Sequence, residues 1–240
     1  MSETVKHPAY RRVLLKLSGE ALSAGEGGIL DHSFIEKIAA VLKKCMDAGV
    51  QIGVIVGAGN IWRGRQGKDM DPALADHMGM LATAINALAL QDAFCRAGVD
   101  TRAMTAVRME AFAEPYTREQ AVHHLEHGRA VVFGCGLGLP FFSTDTAAAL
   151  RAAEIGADMV LMAKNIDGIY TADPNKDSNA KLIDSITYRE LIWQGLGAID
   201  LTAATFCMEK HIPMLVFGLD DPENIYRAVM GEHIGTRVTD

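Results

Sequence analysis

Cysteine is scarce in this 240-residue chain: Cys45, Cys95, Cys135 and Cys207 lie 40 or more residues apart and form no CxxC pair. That spacing argues against a zinc ribbon or a disulfide framework and fits reduced thiols within a core. Long apolar runs are missing too. The longest stretches, residues 52–59, 130–133 and 159–163, are strand-sized, far short of the roughly 20 residues of a membrane span. The opening MSETVKHPAY lacks the apolar segment of a secretory signal, so the expectation is a cytoplasmic protein with no membrane partner. Basic charge is in deficit, 23 Lys and Arg against 30 Asp and Glu for a net charge of −7, and such a surface does not invite DNA or RNA. There is no fixed-period repeat and no Pro- or Ser-rich linker, so a single domain over 1–240 is expected, with 1–9 as a flexible leader.

What remains is ordinary globular composition, 49% apolar and 22% charged, with two-residue and 3.6-residue periods alternating along the chain. Residues 12–16 read as a strand, and Asp31 caps a helix through 44 that carries Phe34, Ile38, Val41, Leu42 and Cys45 on one face. Residues 51–56 are a nearly all-apolar strand, the kind buried on both faces of a parallel sheet. A long Ala-, Leu- and Met-rich helix spans 72–96 and is closed by Gly98. Further strands are expected at 99–104, 130–133, 159–163 and 214–217, and helices at 117–127, 147–155, 201–210 and 222–229. The alternation predicts an α/β fold, a three-layer α/β/α sandwich on a mainly parallel central sheet. In such sheets ligands sit beyond the carboxyl ends of the strands.

Familiar catalytic signatures are absent. There is no GxxxxGK[ST], GxGxxG, GxSxG or HExxH, and no HRD and DFG pair. Three glycine-rich loops follow predicted strands instead. Lys16-Leu17-Ser18-Gly19 puts a lysine at a strand end, before small residues whose backbone can turn toward an anion. Gly57, Gly59 and Gly64 bracket Asn60 and Arg63, and an arginine on such a turn suits bidentate phosphate recognition. Gly134, Gly136 and Gly138 lead to Ser143, Thr144 and Asp145, where a helix N-terminus and hydroxyls offer an anion site. Together the loops point to two phosphate-bearing ligands at one sheet edge.

The blocks KLSGEAL, GAGNIWRG, DHMGMLAT, GLPFFSTDTAA and DGIYTADPNKD, with the closing VMGEHIGTRVT, resemble in order those of the bacterial uridylate kinases, which have the amino-acid-kinase fold. The likeness runs from about Tyr10 to the end of the chain. DHMGM and PFFSTDTAA belong to the uridylate branch, whereas the lysine loop and the ADP loop are shared more widely. The resemblance implies transfer of the γ-phosphoryl group of ATP to UMP, with Mg²⁺ accompanying ATP and no metal ligand expected from protein side chains. Lys16, Arg63 and Asp145 become the expected catalytic residues. An ATP site is implied at Lys16, Leu17, Ser18, Gly19, Gly59, Arg63, Lys164, Asn165, Tyr170 and Asp173. A UMP site is implied at Gly57, Ala58 and Asp76, and along Leu137, Gly138, Leu139, Pro140, Phe141, Phe142, Ser143 and Thr144. Acceptor binding would fall mostly in 51–150, and donor binding in 158–240 with the Lys16 loop. A hexameric homo-oligomer, a GTP activator and a UTP inhibitor are also implied. Gly25, Glu26, Gly27 and Gly28 match the loop tied to GTP activation only loosely.

Two positions depart from the family pattern. Ala58 stands where a glycine approaches UMP, and Leu139 where a polar residue is common. A UMP phosphate oxygen is already anionic near neutral pH, so Asp145 is expected to orient Lys16 and the phosphates, not to act as a base; an N-cap for the following helix is its structural alternative. His123, His124 and His127 include an i, i+4 pair, but on a short polar helix they read as a solvated face. The scattered methionines, Met78 and Met80 among them, read as core or subunit contacts. Relatives that phosphorylate a carboxylate, a carbamate or an isoprenoid phosphate would share the Lys16 and Asp173 loops without needing DHMGM or PFFSTDT. A binding protein on the same scaffold would be expected to lose the charged loop residues, which are present.

Overall fold

The computed structural model describes residues 7–23, 28–62, 67, 69–174 and 176–240. Apolar strands and capped helices alternate as the two periods predict. The elements are β1 (Arg12–Leu17), α1 (His32–Asp47), β2 (Gln51–Val56), α2 (Pro72–Arg96), β3 (Thr101–Thr105), β4 (Glu114–Pro115) and α3 (Arg118–Glu126). There follow β5 (Ala130–Gly134), α4 (Thr144–Ile155), β6 (Met159–Lys164), β7 (Ile169–Tyr170), β8 (Leu182–Ile183) and β9 (Ser185–Thr187). The last elements are α5 (Tyr188–Trp193), α6 (Leu201–Glu209), β10 (Met214–Gly218), α7 (Glu223–Val229) and β11 (Thr236–Thr239).

Among the described residues nine strands form one sheet in the order β4-β3-β5-β2-β1-β6-β10-β11-β9. From β4 to β10 every pairing is parallel; β11 runs antiparallel to β10, and β9 pairs parallel to β11. β1 lies in the middle, with Lys16 opposite Ile55 of β2 on one side and Met162 of β6 on the other. Side chains alternate across the sheet, so β1 sends Val13, Leu15 and Leu17 into one apolar cluster with residues of α1, α2 and α7. Leu14 enters a second cluster on the opposite face, with residues of α3, α4, α5 and α6. The three-layer α/β/α sandwich expected from the sequence is the fold observed.

Local chemistry sets the helix ends. Asp31 accepts from the Phe34 N–H at 3.0 Å, Asp71 from the Leu74 N–H at 3.1 Å with Pro72 in the first turn, and Thr117 from the Gln120 N–H at 3.2 Å. Each satisfies a donor the helix leaves open. α4 begins at Thr144, three residues before the expected start, because Ser143 caps it by accepting from the Thr146 N–H at 3.0 Å. Gly156 ends α4 at φ +65°, where a side chain would be strained. The loop expected after β6 contains a strand, β7, which pairs with β8. Helix α5 is held by a capping box of Thr187 and Glu190.

Among the described residues α2 is long and apolar enough, by length and composition alone, to cross a membrane. It packs on β2, β3 and β5 and against α1, as the core helix of a sandwich does. Cys45, Cys135 and Cys207 are buried, but Cys95 is exposed, so the expectation of four core thiols holds for three. Burial pushes the Cys45 and Cys207 thiols up to about 12, which leaves them inert as thiolates.

One buried charge ties two layers of the molecule. Arg151 on α4 is 5% exposed, lies over the Tyr116 ring at 3.7 Å, and donates to Glu154 at 2.6 Å and to the Gly136 carbonyl at 3.2 Å. Tyr116 in turn donates to Glu154 at 2.5 Å and packs edge-on against Phe133. Arg151→Met is expected to cost about 3 kcal/mol, the low end for breaking a buried pair because Glu154 reaches solvent. The thermal midpoint should then fall by roughly 6–12 °C, which a circular dichroism melt reads; an unchanged midpoint would contradict a structural role for this network.

Candidate functional site

The three glycine-rich loops meet at the carboxyl ends of β1, β2 and β5. A β-carbon placed on Gly19 would lie 2.5 Å from the Gly57 carbonyl oxygen and 2.6 Å from the Gly59 nitrogen. One on Gly57 would lie 3.2 Å from the Gly19 nitrogen and 3.9 Å from Thr144 Oγ1. The turns at 18–19 and 57–59 are therefore in backbone contact, with the start of α4 beside them. A residue without a side chain is needed at position 19 for this approach, and position 57 leaves little room for one.

Lys16, Asp145 and Lys164 form a charge cluster at this junction. The Lys16 ammonium is 3.0 Å from Asp145 Oδ1, and Lys164 donates to Asp145 Oδ2 at 3.2 Å. All three side chains are mostly buried, at 12%, 14% and 18% exposure respectively. Burial alone would raise the Asp145 carboxyl, but the two lysines outweigh it and hold it below its ordinary range. Burial, more than the attraction of Asp145, sets Lys164, whose ammonium is held below the usual lysine range. Two ammoniums face one carboxylate here, with Asp200 acting on Lys164 from beyond it, and the paired ammoniums suit an anionic ligand. Ser143 caps α4, so Asp145 is not its N-cap; its carboxylate turns to the lysines instead.

Lys164, implied for the ATP site with Asn165, Tyr170 and Asp173, lies in this charge cluster, where it also donates to the Ala198 carbonyl. Asn165 and Asp173 are exposed. Tyr170 and Asp173 line a cavity of about 360 Å³ with Ile166, Gly195, Leu196 and Ala198. Leu17 is buried, and Ser18 precedes the 3₁₀ turn of residues 19–22.

A second cavity, of about 230 Å³, opens on the other side of the junction and is lined by Ala58, Gly59, Asp76, Leu137, Phe142 and Thr144, among others. Asp76 Oδ2 accepts from the Phe141 N–H at 2.8 Å, which ties the loop after β5 to the start of α2. Phe141 has φ +69° and is 73% exposed, and Leu139 and Phe142 also reach solvent. Gly138, at φ +73°, packs on Ala106. Gly57, Gly138, Pro140 and Phe141 flank this cavity without lining it. Arg63, Gly25, Glu26 and Gly27 lie outside the described residues; the Gly28 carbonyl accepts from Ser23 Oγ at 3.1 Å.

Several neighbours of the site had no sequence signal. Asp200 caps α6 by accepting from the Ala203 N–H at 2.8 Å, and its carboxylate also takes the hydroxyls of Ser143 and Thr146. It thus joins the start of α4 to the loop that lines the larger cavity. Thr83 of α2 lines the smaller cavity and accepts from the Cys135 N–H at 2.8 Å, which holds Cys135 at φ +62°. Trp62 lines it too, with its indole N–H on the Ala75 carbonyl at 2.9 Å. His124 departs from the solvated face expected of it. It is 3% exposed, with Nε2 2.7 Å from Glu114 and Nδ1 3.2 Å from Arg129. His123 and His127 stack at 4.0 Å between ring centroids.

Comparison with known proteins agrees with this arrangement. Residues 11–218 match the amino acid kinase family. Among solved structures, a UMP kinase from Bacillus anthracis is 36% identical, with a TM-score of 0.93 over 96% of each chain. A UMP kinase from Ureaplasma parvum is 35% identical with a TM-score of 0.91, over 96% of this chain and 99% of that one. A uridylate kinase from Archaeoglobus fulgidus is 30% identical with a TM-score of 0.76, over 95% of this chain and 99% of the other. A match across most of its length, with likenesses of this extent, makes the chain a member of the amino acid kinase family.

Proposed function

We propose that this chain is a UMP kinase, a nucleoside monophosphate kinase that transfers the γ-phosphoryl group of ATP to UMP and yields ADP and UDP. The observation that carries this reading is the Lys16–Asp145–Lys164 cluster at a backbone junction flanked by two cavities. One cavity suits a donor nucleotide at Tyr170 and Asp173, the other an acceptor at Asp76, Leu137 and Thr144. In the transfer a UMP phosphate oxygen forms a bond to the γ-phosphorus as the bond to the β,γ-bridging oxygen breaks, and ADP departs. The attacking oxygen carries no proton near neutral pH, so alignment and charge neutralisation supply the catalysis. Lys16 faces the transferring phosphoryl group, with Ser18 and Gly19 offering backbone beside it. Asp145 holds Lys16 and Lys164 in place, and Arg63 neutralises charge between the nucleotides. The first turn of α4, with Ser143 and Thr144, favours the acceptor phosphate, and Asp76 faces the acceptor's ribose.

Among the described residues no group of three His, Cys, Asp or Glu side chains is arranged to hold a metal ion, and Asp145 is already matched by two ammoniums. A Mg²⁺ accompanying ATP would supply neutralisation of phosphate charge beside Lys16 and Lys164. The exposed residues Leu74, Met78, Leu81 and Ile85 make an apolar stripe on α2 beside a groove of about 310 Å³ with Met109 and Phe112. This supports a homo-oligomer in solution; the hexamer is the size that the family resemblance implies. The reading extends to a single cytoplasmic domain without nucleic-acid or membrane partners, acting in pyrimidine nucleotide synthesis. The family resemblance also implies GTP activation and UTP inhibition.

ADP release measured side by side with UMP, CMP, dTMP, aspartate, N-acetylglutamate and carbamate tests the proposal. UMP is expected to exceed CMP in kcat/KM by about 10⁴-fold or more, the discrimination available to a site that hydrogen-bonds its substrate. Equal rates, or preference for a carboxylate or carbamate, would defeat it.

A further inference from the structure

Asn86 is fully buried in the middle of α2, between Ala84 and Ala87, on a helix rich in apolar side chains. A carboxamide in such surroundings is costly unless its donors and acceptor all find partners. Here they do. Asn86 Nδ2 donates to the Gly57 carbonyl at 2.8 Å and to Asn60 Oδ1 at 2.8 Å. Its Oδ1 accepts from Asn60 Nδ2 at 2.9 Å, and Asn60 Nδ2 also donates to the Ile29 carbonyl at 2.8 Å. The Gly57 and Ile29 carbonyls can only accept, so the orientation of both amides is fixed by the network.

The Gly57 carbonyl is therefore held on two sides, by the Asn86 amide and by the Gly19 backbone, which leaves no room for a β-carbon. A peptide unit is planar and trans, so the direction of the Gly57 C=O dictates the opposite direction of the Ala58 N–H. Ala58 lines the smaller cavity. We infer that Asn86, locked to Asn60, is a positioning residue for the acceptor nucleotide, acting through the orientation of the Gly57–Ala58 peptide that faces its phosphate. This rests on the UMP kinase reading. It adds to that reading a residue of α2 that touches neither ligand, and a link from that helix and from Ile29 to the acceptor turn.

The test is calorimetric titration of UMP and, separately, of ATP into the full chain and its variants. Asn86→Leu removes the donor, and Asn86→Asp keeps the volume but sets a carboxylate oxygen against the Gly57 carbonyl. Asn60→Ala, at a half-buried position, leaves the bond to Gly57 in place. The dissociation constant for UMP is expected to rise about tenfold or more in both Asn86 variants and by less in Asn60→Ala, the order expected if a charged-group-free hydrogen bond orients the turn. ATP binding should stay within twofold in all three. A merely structural role would weaken both nucleotides together. UMP binding unchanged in any folded Asn86 variant, or in Asn60→Ala weakened more than in these, overturns the inference. A wild-type chain that binds UMP but releases no ADP defeats the kinase reading and leaves this inference standing; one that does not bind UMP overturns both.

Discussion

Asp145→Asn is expected to lower kcat by about 100- to 1000-fold, the scale for losing one preorganised electrostatic group. The amide keeps the shape of the side chain but leaves the ammoniums of Lys16 and Lys164, 3.0 and 3.2 Å from the carboxylate oxygens, facing a neutral group. Lys16 is then free to leave the line of transfer. Rate against pH separates this role from base catalysis. If Asp145 only orients, the basic and acidic limbs of log kcat keep their wild-type slopes; loss of a limb in the variant would instead make Asp145 a proton acceptor. The same carboxylate makes a prediction for stability. Its pKa in the folded chain is depressed, because Lys16 and Lys164 outweigh the opposing effect of burial. Its contribution is therefore present above the ordinary carboxylate value of about 4 and is lost as pH falls through the lower folded value. Asp145→Asn should lack that part of the acid transition in a pH titration of unfolding.

Gly19→Ala has the second largest expected effect, and its cause is steric. The added methyl would meet the Gly57 oxygen at 2.5 Å and the Gly59 nitrogen at 2.6 Å, and both are backbone atoms, so a rotamer change cannot relieve the clash. The turn at 57–59 has to move, and it is confined on its far side by Asn86. A displacement of about 1 Å at a phosphate turn can cost roughly 100-fold in rate, and overpacking adds about 1–3 kcal/mol of instability. The expected result is kcat/KM lower by about two orders of magnitude, with a melt that stays cooperative. A variant with wild-type kinetics would mean that the two turns do not need their contact.

Much of the fold was legible in the sequence because its signals are local. Asp31, Asp71 and Thr117 cap their helices, and the apolar strands at 51–56 and 159–163 stand at the centre of the sheet. The short elements β4, β9 and β11 were not legible, since two to four residues carry too little periodicity to be told from loop. The helix starts at 144, three residues before the start that the apolar run from Ala147 predicts, because the Ser143 cap adds a polar first turn that carries no apolar period. The same division runs through the site. Glycine-rich loops after strands announce themselves, and the structure brings three of them together. Asn86, Arg151 and Asp200 do not, because each acts through partners distant in sequence: Gly57, Tyr116 and Ser143 respectively. Lys164 entered only through the family resemblance, as part of the ATP site, and its turn toward Asp145 and Ala198 depends on how two loops pack.

The central place of β1 has a consequence for how the two half-sites keep their spacing. Its ladder aligns Lys16 with Ile55 of β2 on one side and Met162 of β6 on the other, through hydrogen bonds along both edges. In the proposed reaction the strand would serve as a ruler shared by both nucleotides, with the lysine as its mark. A one-residue insertion before Lys16 would advance that mark by about 3.3 Å and flip it to the opposite face of the sheet. A change of loop length elsewhere would leave that mark in place, whereas a change in the count of residues along this strand would not.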